Sequence, residues 1–183
     1  GGRRLYSHSG AFGLGAATSF NALPSSDLGI VVLTNGYPVG LPEVLCVQFV
    51  DLLEYGALQQ DDYLGLIGPF FDQLNAPEGV LVGKTPPASP APPGPLSDYV
   101  GQYHNDFYGP LQIDLTDAGL RLTLGATPLQ LPLQHWDGHV FTFRPLAENA
   151  SPGSISQATF AGRQVTLELY DNPRGVGSFV RGA

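Results

Sequence analysis

The sequence predicts a mainly β chain with one or two helices. A front part reads as a hairpin plus a helix, and it joins a small antiparallel β-barrel or sandwich. Three observations predict this. Residues 4–36 carry short β-type runs that close on Asn35-Gly36, and residues 41–55 place apolar side chains at helical spacing. Residues 96–183 hold about eight short strands divided by turn residues. The expected divisions are 1–58, a helical and proline-rich segment at 59–95, and 96–183.

The run Arg4-Leu5-Tyr6-Ser7-His8-Ser9-Gly10-Ala11-Phe12-Gly13 alternates apolar and polar residues and ends among small ones. It suits a strand whose backbone lies open to something else. Gly10 and Gly13 have no side chain, so a ligand or a second strand can approach the main chain closely there. His8 and Ser9 bring a titratable ring and a hydroxyl together, although neighbouring strand residues point to opposite faces.

Residues 15–24 and the apolar run Leu28-Gly29-Ile30-Val31-Val32-Leu33 flank a polar turn at Ser25-Ser26-Asp27, which makes a hairpin. The second run is β-branched enough to predict a buried central strand. Leu41, Leu45, Phe49, Leu52 and Leu53 then recur as on one helix, with Pro42 near its start and Gly56 after Tyr55. Cys46, the only cysteine, sits among Val44, Leu45 and Val47 and reads as a buried core thiol. Residues 61–74 predict a second short helix broken or restarted at Gly68-Pro69. Lys84 to Pro95 is dense in proline and predicts an extended linker rather than a ligand for an SH3-like module.

Composition narrows the functional classes. The chain is 43% hydrophobic and only 13% charged, and its net charge is −8. Phosphate binding needs clustered Lys or Arg, and Arg3-Arg4 is the one adjacent basic pair, so no nucleic-acid partner is expected. No apolar run approaches the ~20 residues of a membrane-spanning helix. His135-Trp136-Asp137-Gly138-His139 holds two histidines and a carboxylate, which could suggest a metal, but its Asp-Gly centre predicts a turn with those side chains facing apart. No metal and no cofactor are expected. Asn149-Ala150-Ser151 formally fits a glycosylation acceptor, which Pro152 makes idle.

The order of His8-Ser9-Gly10, the run ending Leu33-Thr34-Asn35-Gly36 and then a helix resembles the end of the α/β catalytic domain of the serine β-lactamase and penicillin-binding-protein superfamily. The likeness is to its class C-like branch of esterases, D-amino-acid peptidases and related hydrolases, and it covers residues 1–58. The resemblance implies that His8 stands at the cationic or hydrogen-bonding position of the third catalytic motif, and that Ser9 offers its hydroxyl to substrate. It implies that Gly10 leaves room for the acyl group and that the Ala11 N–H is one of two oxyanion donors. Such a donor is worth about 3–4 kcal/mol of transition-state stabilisation.

The family's nucleophile lies in a Ser-x-x-Lys motif. Here the one lysine, Lys84, follows Leu81 at that spacing. The Tyr-x-Asn matches at Tyr103-His104-Asn105 and Tyr170-Asp171-Asn172 both come after the His-Ser-Gly strand, out of the family's order. With Gly1-Gly2 at the start and no methionine, the chain reads as a C-terminal fragment of a longer serine hydrolase, inactive alone.

The expected partners are the missing N-terminal part of the catalytic domain and a small-molecule or peptide substrate. Leu96-Ser97-Asp98-Tyr99-Val100-Gly101-Gln102-Tyr103, followed by Tyr108-Gly109-Pro110-Leu111, resembles the opening of the lipocalin-like domain that trails such hydrolases. That resemblance implies an accessory barrel that covers the cleft, helps select substrate or builds a homo-oligomer. The competing reading is a non-enzymatic lipocalin-like module that binds a small ligand or a protein. A barrel interior empty of side chains would favour it. Compartment stays open between cytoplasm and periplasm or secretion, the family being of bacterial type.

Overall fold

The structure, a computed structural model, describes residues 3–125, 129–145, 150–171 and 174–182. It forms two compact units, Gly1–Ala76 and Pro77–Ala183. The boundary falls within the segment 59–95 of the sequence reading. Asn149 of the formal acceptor and Asn172 of the second Tyr-x-Asn match lie outside the described residues.

In the first unit, strands β1 (Tyr6–Phe12), β2 (Ala16–Leu23) and β3 (Leu28–Thr34) form an antiparallel sheet in the order β1-β2-β3. Pro24–Ser26 make a 3-10 turn between β2 and β3, and Asp27 closes it in the left-handed region. Short polar side chains such as aspartate visit that region most readily. Helix α1 (Leu41–Tyr55) ends at Gly56, whose N–H donates to the Leu52 carbonyl. It packs on β2 and β3, covering the face that carries Ala17, Ser19, Asn21 and Leu23.

Two expectations need correction here. The third strand is an edge strand of this sheet, and Val31 and Leu33 are 69% and 73% exposed. Apolar residues on both faces suggested cover on both, yet within this unit α1 covers only one. The second helix, α2 (Tyr63–Leu74), runs unbroken through Pro69. Pro69 is exposed and forfeits one bond to the carbonyl of Gly65, a loss this short helix carries. The Asp62 carboxylate caps it by accepting from Gly65 N–H at 2.7 Å. The Tyr63 hydroxyl donates to Asp51 of α1 and accepts from the Gln59 and Gln60 amides, tying α2 to α1.

The second unit is one nine-stranded antiparallel sheet curled into a nearly closed barrel. In chain order its strands are β4 (Gly101–Asn105), β5 (Gly109–Thr116), β6 (Gly119–Leu124), β7 (Leu129–Pro132), β8 (Gln134–Asp137), β9 (Val140–Phe143), β10 (Ser156–Ala161), β11 (Gln164–Leu167) and β12 (Ser178–Arg181). A short helix, α3 (Glu168–Asp171), follows β11. The spatial order is β7-β6-β5-β4-β12-β11-β10-β9-β8. The two edge strands are therefore consecutive in sequence, separated by Leu133 alone. One bent segment pairs its first half with β6 and its second half with β9, so the edges of the sheet have to meet.

The inward positions are filled. Tyr103, Leu111, Ile113, Leu122, Phe141, Val165, Leu167 and Phe179 are all buried in one core. This interior lacks the emptiness that a ligand-holding lipocalin-like barrel requires. Residues 96–99 form a 3-10 turn ahead of β4. That turn places Tyr99 against Phe141 and Phe160, with ring centroids 5.1 and 4.8 Å away. Tyr103 donates its hydroxyl back to the Tyr99 carbonyl at 2.8 Å. Between them Gly101 lies under Arg181, whose Cδ would sit 2.8 Å from any Cβ added there. The aromatic-Val-Gly-x-Tyr pattern thus has a packing explanation at each of its outer positions and at its glycine.

The proline-rich stretch is held against the barrel. Ala91 N–H donates to Asp137 at 2.7 Å, and the Ala91 carbonyl accepts from Gly138 N–H at 2.8 Å.

Candidate functional site

His8, Ser9, Gly10 and Ala11 all lie on β1, whose only sheet partner among the described residues is β2. None of the four is buried. The register pairs His8 with Phe20, Ser9 with Ser19, Gly10 with Thr18 and Ala11 with Ala17. Residues opposite one another share a face. Ser9 and Ala11 therefore lie on the face that α1 covers further in, and His8 and Gly10 lie on the other. Gly10 is close to its neighbour, because a Cβ there would meet the Thr18 hydroxyl at 3.3 Å.

The direction of the main chain follows from the hairpin. The Phe12 carbonyl accepts from Gly15 N–H at 3.0 Å, so the polar groups of Phe12 point toward β2. In an antiparallel ladder these directions alternate residue by residue. The amides of Ser9 and Ala11 consequently point away from β2, along the unpaired edge. The opposite strand agrees. The Ala17 carbonyl accepts from the Thr34 hydroxyl of β3 at 3.0 Å and so faces away from β1. The edge of β1 is thus a row of unpaired donors and acceptors beside a ring, a hydroxyl and a glycine.

The open face of this sheet is apolar. Tyr6 and Phe12 of β1, Phe20 of β2 and Val31 and Leu33 of β3 are all exposed on it. Cys46, by contrast, is buried in α1, and its carbonyl accepts from the Asn21 side chain.

The His135–His139 segment is the β8–β9 turn, and each of its polar side chains has its own partner. His135 Nε2 meets the Gly138 carbonyl at 3.1 Å, His139 Nδ1 meets the Tyr99 hydroxyl at 2.8 Å, and Asp137 accepts from Ala91. Among the described residues no group of three or more His, Cys, Asp or Glu side chains is placed to hold a metal. Among the described residues no helix is long and apolar enough to cross a membrane.

Over about half its length the chain is similar to a domain of a penicillin-binding protein. The crystal structure of the C-terminal domain of penicillin binding protein Rv0907 is similar to it at 53% identity, with a TM-score of 0.51 over 55% of this chain and 97% of that one. The chain belongs to the family of that C-terminal domain. Residues 85–171 match a family described as a domain of unknown function, DUF3471. The crystal structure of SurE with D-Leu is a more distant likeness, at 20% identity and a TM-score of 0.36 over 97% of this chain and 35% of that protein. No curated protein matches the chain.

Proposed function

We propose that the first unit is the closing part of the catalytic domain of a serine hydrolase from the class C-like branch of the β-lactamase and penicillin-binding-protein superfamily. One observation carries the reading. The Ala11 amide points outward from an unpaired strand edge, directly after His8-Ser9-Gly10. A fixed N–H aimed into a cleft stabilises negative charge as it develops on a carbonyl oxygen. The family relation to a penicillin-binding-protein domain supports it.

In this reading a Ser-x-x-Lys segment N-terminal to the present residues supplies the nucleophile. Its hydroxyl oxygen adds to an amide, ester or lactam carbonyl, and the resulting oxyanion rests on the Ala11 amide. The bond to the leaving nitrogen or oxygen then breaks as that atom takes the proton the serine gave up. Water adds to the acyl-serine in the same way and releases the acid. His8 faces the reacting groups, Ser9 hydrogen-bonds the substrate, and Gly10 admits the acyl chain beside the strand. The same missing segment covers the apolar face around Phe20, Val31 and Leu33. The barrel is the accessory domain.

The test uses the full-length protein with nitrocefin, a nitrophenyl ester and a D-amino-acid anilide. Turnover of any one of them supports the assignment, and three blanks overturn it. Turnover by the 183-residue chain alone would contradict the placement of the nucleophile outside it.

A further inference from the structure

The barrel carries a cleft at its seam, where β7 bends into β8. It has a volume of about 390 Å³, within the range of small-molecule sites. Trp136 of β8, Pro132 of β7 and Ile155 supply apolar walls, and the proline-rich segment contributes Lys84 and Pro86 to the rim. Arg144, just past β9, supplies a second cation.

Two features make this more than a gap between strands. A bulge in the β8–β9 pairing falls between His135 and Asp137, leaving Trp136 without an opposite residue. Bulges re-aim side chains. Here the successive residues His135 and Trp136 both line the cleft, although strand neighbours ordinarily diverge. The charge is also one-sided. The chain has 16 Asp and Glu against 8 Lys and Arg, yet no described lining residue is acidic. The sole lysine of the chain and Arg144 both border the cleft, and neither is in an ion pair among the described residues.

We infer that this seam cleft binds a small carboxylate with an apolar body, its acyl or aromatic part against Trp136, Pro132 and Ile155 and its carboxylate between Lys84 and Arg144. The site is separate from the filled barrel interior and does not depend on the hydrolase reading. Apolar burial supplies affinity, and the two cations select the headgroup.

Trp136 is the only tryptophan and reports directly on the site. Its emission is titrated with octanoate, octanol and octylamine, each below its self-association threshold, with backbone NMR shifts of residues 84–86 and 134–136 as a second readout. Octanoate should give a saturable change, with octanol and octylamine at least about tenfold weaker, a difference of about 1.4 kcal/mol. The double variant Lys84→Glu/Arg144→Glu alters two exposed side chains and should weaken octanoate at least about tenfold while leaving octanol unchanged. No saturable change in either readout overturns the proposal. So does equal affinity for octanol, or a double variant that holds octanoate within about threefold of the wild type.

Discussion

The side-chain amide of Asn21, at the centre of the three-stranded sheet, donates to the main-chain carbonyl of Cys46 in α1 at 3.1 Å. Both residues are buried, so this polar contact fixes how the helix lies on β2. It also turns the other face of β2, and with it the open side of β1, away from the helix. Asn21→Ala should destabilise the first unit by about 1 kcal/mol, the usual net value of one hydrogen bond. Asn21→Asp should cost more, because a carboxylate would face the Cys46 carbonyl with no proton to share. Urea unfolding of both variants checks the order, and a more stable Asp variant would refute the contact.

Tyr103 gives the barrel a pH signature. Burial pushes its phenol above the ordinary value near 10, while the Arg181 guanidinium pulls the other way. A raised value means that the folded state holds the proton more tightly than the unfolded chain does. Its contribution is therefore complete below about pH 10 and is lost as pH rises through the raised value. Tyr103→Phe should cost about 1 kcal/mol at neutral pH through loss of the bond to Tyr99. It should also flatten the alkaline fall in stability. Thermal melts from pH 7 to pH 11 would show both effects.

Gly79 separates two kinds of glycine. It has φ +117°, and a Cβ there would lie 1.7 Å from the Ile155 carbonyl oxygen, while the adjoining Glu78 carbonyl accepts from Ile155 N–H at 3.0 Å. Gly79→Ala should cost about 3 kcal/mol or more. Gly83, at φ +72° with nothing within 4 Å, should lose only the roughly 1–2 kcal/mol of a left-handed alanine. Equal effects in denaturant melts would contradict the close approach at Gly79.

On the proposed reading, the β1 edge predicts activity changes in the full-length protein. Ala11→Pro removes the outward amide and should lower kcat by about 10²–10³-fold, whereas Ala11→Gly should leave it within a few-fold. His8→Ala should lower kcat by about 10²-fold or more if its ring moves a proton in the reaction. A proline variant with unchanged kcat on the best substrate of the panel would remove Ala11 from the mechanism.

The sequence by itself determined the local periods and their punctuation. Helix α1 runs over the residues whose apolar spacing and flanking Gly56 mark it, and the β2–β3 turn falls at the polar residues between two apolar runs. The alternation of Leu111, Ile113, Leu120 and Leu122 gives their strands one apolar face, and that face fills the barrel. A four-residue strand such as β8, with one bulged residue, is too short to show a period, so it was not legible. The His-Ser-Gly strand was legible as a motif, but nothing local states that it is an edge or which way its amides point.

Only the tertiary structure decided those things. It left β3 at the side of its sheet, carried α2 through Pro69, and folded residues 129–137 into the seam that brings Lys84, Trp136 and Arg144 together. The physical reason is that side-chain period and turn chemistry act over a few residues. Which strand stays unpaired, and which distant side chains share a cleft, depends on pairings between segments far apart in the chain.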